Sequence, residues 1–276
     1  MDKQTIPTKP GRVRDTLRVA SYLEEAGEDP SISCDNLLGF GIHYIALKHI
    51  WTGNIGTLAD TACQKLRKII TDKDMTVIMI ASDLGDEAAN NLSRISESRI
   101  DHIFNLAAYF KAPMVRIGIG KQCQQECTSL VDEWMSKISA KAISANITPV
   151  CEITFDSYFD TPSALANQFR KHKRWKLLYD PAQFILRKNQ NPFVKYWTLL
   201  KSSVAAIDVR DLKIGKGFKP AGFGDSKIDY TVKDAIGNGY NGWYIMEPSF
   251  GRRHGDAHTK QETFQMALDA FDALIE

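Results

Sequence analysis

Four carboxylates stand out by where they fall in this 276-residue chain: Glu152, Asp180, Asp208 and Glu247. Each lies at or near the end of a short apolar run, in ITPVCEITF (147–155), WKLLYD (175–180), VAAIDVRD (204–211) and GWYIMEP (242–248). The first three are spaced by 28 residues, which is room for one strand, one helix and their turns. Neighbouring parallel strands stand about 4.8 Å apart and their side chains alternate between faces, so in-phase acids at adjacent strand ends converge on a small volume. Four carboxylates cannot all stay ionised there unaided. Either repulsion and desolvation raise their pKa values, or a divalent cation sits among them. The cation is the expectation, and an all-oxygen set suits Mn2+ or Mg2+ better than Zn2+. The alternative is that these acids are unrelated, or ion-paired to Arg116 and Arg210. A lysine or arginine at their meeting point would tell against the metal.

The elements that must position these acids are legible as an alternation. Four more apolar runs precede those above: TLRVASYL (16–23), HYIALKHI (43–50), MTVIMIAS (75–82) and MVRIGIG (114–120). Between the runs lie segments of helical period, such as 91–111, 129–144 and 161–173, the last with Thr161 as N-cap and Pro162 at the first helical position. The closing segment, 260–276, sets Phe264, Leu268, Phe271 and Ile275 on one stripe. Alternating strands and helices imply right-handed crossovers and a parallel sheet. Eight such units in a chain near the ~250 residues typical of the class predict an α/β fold, one (β/α)8 TIM barrel spanning 1–276 with a short polar extension at 1–15. A doubly wound open sheet is the main alternative, but no G-x-G-x-x-G follows the first run.

Taken in order, CEITF, YDPAQF, IDVRD and GFGDSKIDYTVKDAIGNGYNGWYIMEPSF resemble the xylose isomerase-like sugar isomerases and epimerases, and so does KAPMVRIG at 111–118. The resemblance implies a metal held by Glu152, Asp180, the residue at 208 and Glu247, with Glu152 and Glu247 as a catalytic proton-transferring pair. It implies a metal-dependent isomerase or epimerase acting on a sugar or sugar phosphate through an enediolate. The sequence departs from the pattern at three places. Asp208 stands where the family usually has His, Gln183 where Asn or His is common, and Tyr158 and Phe159 where a further His or Glu often follows. These departures leave open altered metal and substrate preference, a related dehydratase, or a carbohydrate-binding accessory protein that keeps the barrel without the activity.

Candidate substrate-binding residues surround these acids. Lys48 and His49 lie near the end of the second run, Arg116 lies in the fourth, Gln183 follows the sixth and Arg210 lies late in the seventh. Arg252 and Arg253 lie in the loop after the eighth, with His254 and His258. In these barrels the loops after strands seven and eight often bind phosphate. Trp51 and Phe223 are candidates to stack on a sugar face. The histidines that a trinuclear zinc nuclease draws on are missing from runs five to eight. A glycoside hydrolase would use two carboxylates, which leaves two in-phase Asp residues without a role.

Charge and composition exclude other classes. Against 33 acids stand 35 Lys and Arg, a formal charge of +2 without a block of like charge, so neither nucleic acid nor a membrane surface is an expected partner. The expected partner is a small sugar or sugar phosphate, with a homo-oligomer possible. Five scattered cysteines and a polar N-terminus point to reduced thiols and a cytoplasmic location.

Overall fold

Strands and helices alternate along the chain as the apolar runs require. The structure is a computed structural model that describes residues 12–51, 53–122, 127–154, 156–157, 161–186, 191–250 and 258–276. Eight parallel strands close into a barrel in chain order, and each lies inside one of the eight apolar runs. They are β1 (Arg18–Tyr22), β2 (Tyr44–Leu47), β3 (Thr76–Ala81), β4 (Met114–Arg116), β5 (Thr148–Glu152), β6 (Lys176–Tyr179), β7 (Val204–Val209) and β8 (Trp243–Met246). The first strand hydrogen-bonds both the second and the last, so no edge is left open.

The helices around it are α1 (Pro30–Gly39), α2 (Asp60–Asp72), α3 (Glu97–Phe110), α4 (Thr128–Ala145), α5 (Pro162–Lys171), α6 (Pro181–Leu186), α7 (Ile228–Gly237) and α8 (Lys260–Ile275). Local chemistry sets their ends. The Thr161 hydroxyl accepts the Ala164 N–H at 3.2 Å, and Thr259 and Glu262 form a capping box. Lys111 and Asn146 close α3 and α4 in the left-handed conformation. None of the described helices is long and apolar enough to cross a membrane.

Two cores follow from the period of the strands. One face packs on the helices, where Phe264, Leu268 and Phe271 of the α8 stripe are buried. The other fills the barrel, with one small or apolar residue from every strand: Ala20, Ala46, Ile78, Met114, Val150, Leu178, Ala206 and Ile245. Two residues further along, on the same face, come Tyr22, Lys48, Arg116, Glu152, Asp180, Asp208 and Glu247. The alternation that makes the inner core therefore also selects the residues at the barrel mouth.

Outside the mouth, Arg14 is buried beneath α8, where its guanidinium donates to Asp272 at 2.8 Å. Cys34, Cys63 and Cys151 are free thiols, whereas Cys127 is disulfide-bonded, which corrects the expectation of reduced thiols throughout. Cys123, Tyr158, Phe159 and the loop residues Arg252, Arg253 and His254 lie outside the described residues.

The loops after β3 and β4 are zipped by backbone contact, with the Gly118 N–H on the Leu84 carbonyl at 2.7 Å and the Gly120 N–H on Gly85 at 2.9 Å. A Cβ at Gly85, where φ is +83°, would overlap the Gly118 carbonyl, whereas one at Gly215, where φ is +73°, meets nothing within 4 Å. Gly215→Ala is expected to cost only the left-handed strain, about 1–2 kcal/mol, and Gly85→Ala clearly more. Urea unfolding of the two variants side by side checks the difference.

Candidate functional site

Asp180 sits where β6 turns into α6. Its Oδ1 accepts the Ala182 N–H at 2.9 Å, so the carboxylate caps the helix that follows Pro181. Its Oδ2 accepts Arg210 Nε at 2.9 Å and also Nη2 of the same guanidinium. Arg210 Nη1 lies 3.2 Å from Glu247 Oε1, and Nη2 lies 3.8 Å from Glu152 Oε1. The guanidinium is further held by the Ser249 hydroxyl at 3.3 Å and by the Phe218 ring, whose centroid is 5.0 Å away.

Each of two glutamates has a second cation. Arg116 Nη2 lies 3.4 Å from Glu152 Oε2, while its Nη1 donates to Asp86 Oδ1 at 2.7 Å and to the Ser82 carbonyl at 3.0 Å. Lys48 Nζ lies 3.1 Å from Glu247 Oε1 and 4.9 Å from the centre of the Tyr22 ring. Asp208 differs from the other three acids. It is level with Ile245 of β8, two residues deeper than Glu247, and is 0% exposed. Both its carboxylate oxygens are buried with no hydrogen-bond donor among the described residues.

The electrostatics follow from this unequal pairing. Asp208 is pushed well above the ordinary carboxylate range by burial first, then by repulsion from Glu247, Asp180 and Glu152, with Arg210 opposing. Burial also raises Asp180, against the pull of Arg210. Lys48 is raised, chiefly by Glu247. Burial works against the Arg210 charge, but Asp180 and Glu247 outweigh it and lift the guanidinium well above its ordinary value. Tyr22 is raised by burial and then by Asp208.

Of the residues picked out by sequence, Glu152, Asp180, Asp208, Glu247, Lys48, Arg116 and Arg210 meet at the mouth. His49 is exposed on a short hairpin, His49–Ile50 against Gly53–Asn54, with Nδ1 3.4 Å from Glu24 rather than among the acids. Gln183 stands in the first turn of α6, three residues past Asp180. Phe223 is 68% exposed, and the Trp51 indole donates to Asp29 at 3.2 Å.

Sequence reasoning passed over Tyr22, Asp86 and Asp211. Tyr22 ends its run as the acids end theirs, so strand position was a usable signal. Asp86 lies beyond its run in an irregular loop and gave none. Asp211 closes IDVRD, and its carboxylate accepts the N–H groups of Leu212, Gly222, Gly224 and Ser226. It thereby ties the long loop after β7 down beside the strand that carries Arg210.

The donor set fits a divalent cation. One oxygen from each of Glu152, Asp180 and Asp208 lies within 4.8 Å of the others, all three residues are buried, and the Asp208 carboxylate has no other stabilising donor. Arg210 also lies at the meeting point, the arrangement that on the sequence reading tells against a metal; it satisfies Asp180 and Glu247 but not Asp208.

No family model matches the sequence, and no curated protein matches it. Solved structures do match in three dimensions. A xylose isomerase-like TIM barrel protein from Mycobacterium smegmatis, in complex with magnesium, superposes with TM-score 0.66 at 13% identity over 95% of this chain and 99% of its own. D-allulose 3-epimerase from Methylomonas sp., in complex with D-allulose, gives 0.71 at 11% over 96% and 98%. The probable 3-DHS dehydratase AsbF from Bacillus anthracis gives 0.71 at 12% over 92% and 98%. The fold is thus that of the xylose isomerase-like TIM barrels.

Asp208 makes stability depend on pH in a defined direction. A carboxyl held higher in the native than in the unfolded state contributes stability below its unfolded pKa, and that contribution is lost as pH rises through the native value. In chelator-treated protein, Asp208→Asn is therefore expected to gain thermal stability over wild type as pH rises. Melting curves across an acid-to-neutral series check it: parallel curves would remove Asp208 as the strained group.

Proposed function

We propose that the protein is a divalent-metal-dependent enzyme of the isomerase or epimerase class, acting on a sugar or sugar phosphate by proton transfer beside a carbonyl. The observation that carries this reading is the buried Asp208 carboxylate, without a donor of its own, facing Glu152 and Asp180. The D-allulose and magnesium complexes of proteins with the same fold support it.

Glu152, Asp180, Asp208 and Glu247 would hold the ion, and their hard oxygen set favours Mn2+ or Mg2+ over Zn2+. Bound there, a divalent cation supplies Lewis acidity toward the negative charge that develops on the substrate oxygens. The proton chemistry belongs to the glutamates. One of Glu152 and Glu247 removes the proton on the carbon next to the carbonyl, giving an enediolate, and a proton is returned to the neighbouring carbon or the opposite face. Arg116 holds Glu152 and Lys48 holds Glu247, so each base is oriented by a cation on a different strand. The zipped loops after β3 and β4 close one side of the mouth, and the loop tied by Asp211 borders another.

The ion pairs of Arg210 with Asp180 and Glu247 favour a second reading, in which the guanidinium stands in for the metal and the barrel binds carbohydrate without turning it over. Elemental analysis of purified protein separates the two. About one Mn2+ or Mg2+ per chain is expected, and a metal-free protein that binds sugars without exchanging their protons would establish the second.

With metal present, solvent deuterium should enter the carbon beside the carbonyl of a responsive ketose. Glu247→Gln should slow that exchange by about 10²–10⁴-fold, the usual worth of a positioned acid–base group. Exchange at the wild-type rate in the variant, followed by NMR, would overturn the role given to Glu247.

A further inference from the structure

Resting on the metal-dependent reading above, we infer that Arg210 is a counter-ion which a divalent cation displaces from Asp180, and that its freed Nε–Nη2 edge then grips a carboxylate on the substrate. The argument begins with Asp180, which has little capacity left. Its Oδ1 is committed to the Ala182 N–H at the start of α6, and its Oδ2 takes both Nε and Nη2 of Arg210. A cation that draws on Oδ2 of Asp180 competes with the guanidinium for that oxygen. Asp208 favours that competition, because its two oxygens have no donor among the described residues and would gain a partner from the incoming ion.

Displacement leaves Arg210 with an unmet need. Its side chain is 7% exposed, so N–H groups that lose Asp180 cannot simply turn to bulk water. Nη1 keeps Glu247 and the Ser249 hydroxyl, and the Phe218 ring still covers one face, so the side chain stays anchored at the mouth. The two donors released, Nε and Nη2, form the planar fork of a guanidinium that matches a carboxylate with two parallel hydrogen bonds. That edge already holds a carboxylate, Asp180, when the ion is absent. The substrate class that follows is an acidic sugar or a hydroxy acid in place of a neutral ketose. Loading the ion and recognising the anion become linked events, because the first releases the group that performs the second.

The test uses Mn2+ alone and Mn2+ with glycolate, and follows bound metal by calorimetry and by the EPR signal of free Mn2+. Arg210→Met removes the competitor, so its Mn2+ affinity should exceed that of wild type by about tenfold. Glycolate should tighten Mn2+ binding to wild type by a similar factor of about ten, whereas its uncharged amide, glycolamide, should not. In Arg210→Met the glycolate effect should vanish. Arg210→Lys, which keeps the charge but lacks the fork, serves as the second variant should the first not fold, and should also lose the glycolate effect. Unchanged or weaker Mn2+ binding in Arg210→Met overturns the displacement. A glycolate effect that persists in both variants, or is matched by glycolamide, overturns the carboxylate assignment. Absence of Mn2+ binding to wild type and variants alike overturns the metal-dependent reading as well, and so is told apart from failure of this inference alone.

Discussion

Like charges buried within a few ångströms of one another are the constraint under which the mouth of this barrel is built. Closure of the sheet points every second side chain inward, and the inner face of the last four strands ends in acids. Desolvation and repulsion then act together, and the chain answers with three cations from three strands: Lys48 beside Glu247, Arg116 beside Glu152, and Arg210 between Asp180 and Glu247. Asp208 is left out because it sits two residues deeper in the barrel than the acid of its neighbour, below the reach of these donors. Burial raises Asp180 as well, but the push toward the neutral form is strongest on Asp208.

The same constraint explains the loop after β7. A buried guanidinium is useful only if its direction is held, and Asp211, adjacent to Arg210, uses its carboxylate to gather backbone N–H groups from Leu212 to Ser226. Gly224 is needed where the loop meets that carboxylate, since a Cβ there would overlap it. Phe218, on the hairpin of Asp211–Lys213 with Gly217–Lys219, then covers the guanidinium. Backbone satisfaction and charge placement are solved by the same few residues.

Proteins with this fold include an epimerase and a dehydratase, so the barrel by itself does not select a chemistry. The chemistry of this chain has to be read from its local charge pattern. An Asp stands at 208, an Arg two residues on reaches back across the site, and Tyr22 lies against the same cluster. Asp208 has a physical consequence that a neutral side chain would not have: a carboxyl in a dry site, whose ionised form demands a positive partner.

Much of this was legible from sequence. Short apolar runs alternating with helical stretches point to a parallel sheet with both faces covered, the count of eight units favours its closure, and all eight strands lie within the runs so identified. The convergence of Glu152, Asp180, Asp208 and Glu247 is legible for the same reason, as side-chain parity is a local property. Pairing was not. Which cation meets which acid depends on strand register, on a two-residue offset between the acids of β7 and β8, and on loops whose course is set by long-range contacts. Arg210 could be named as a mouth residue, but that it holds Asp180 and leaves Asp208 bare was decided only when the barrel closed, and the same closure turned His49 out to the rim. Sequence by itself determined the architecture and the inward acids, and tertiary structure alone decided how their charge is shared, because periodicity is carried by neighbours along the chain and electrostatic partnership by neighbours in space.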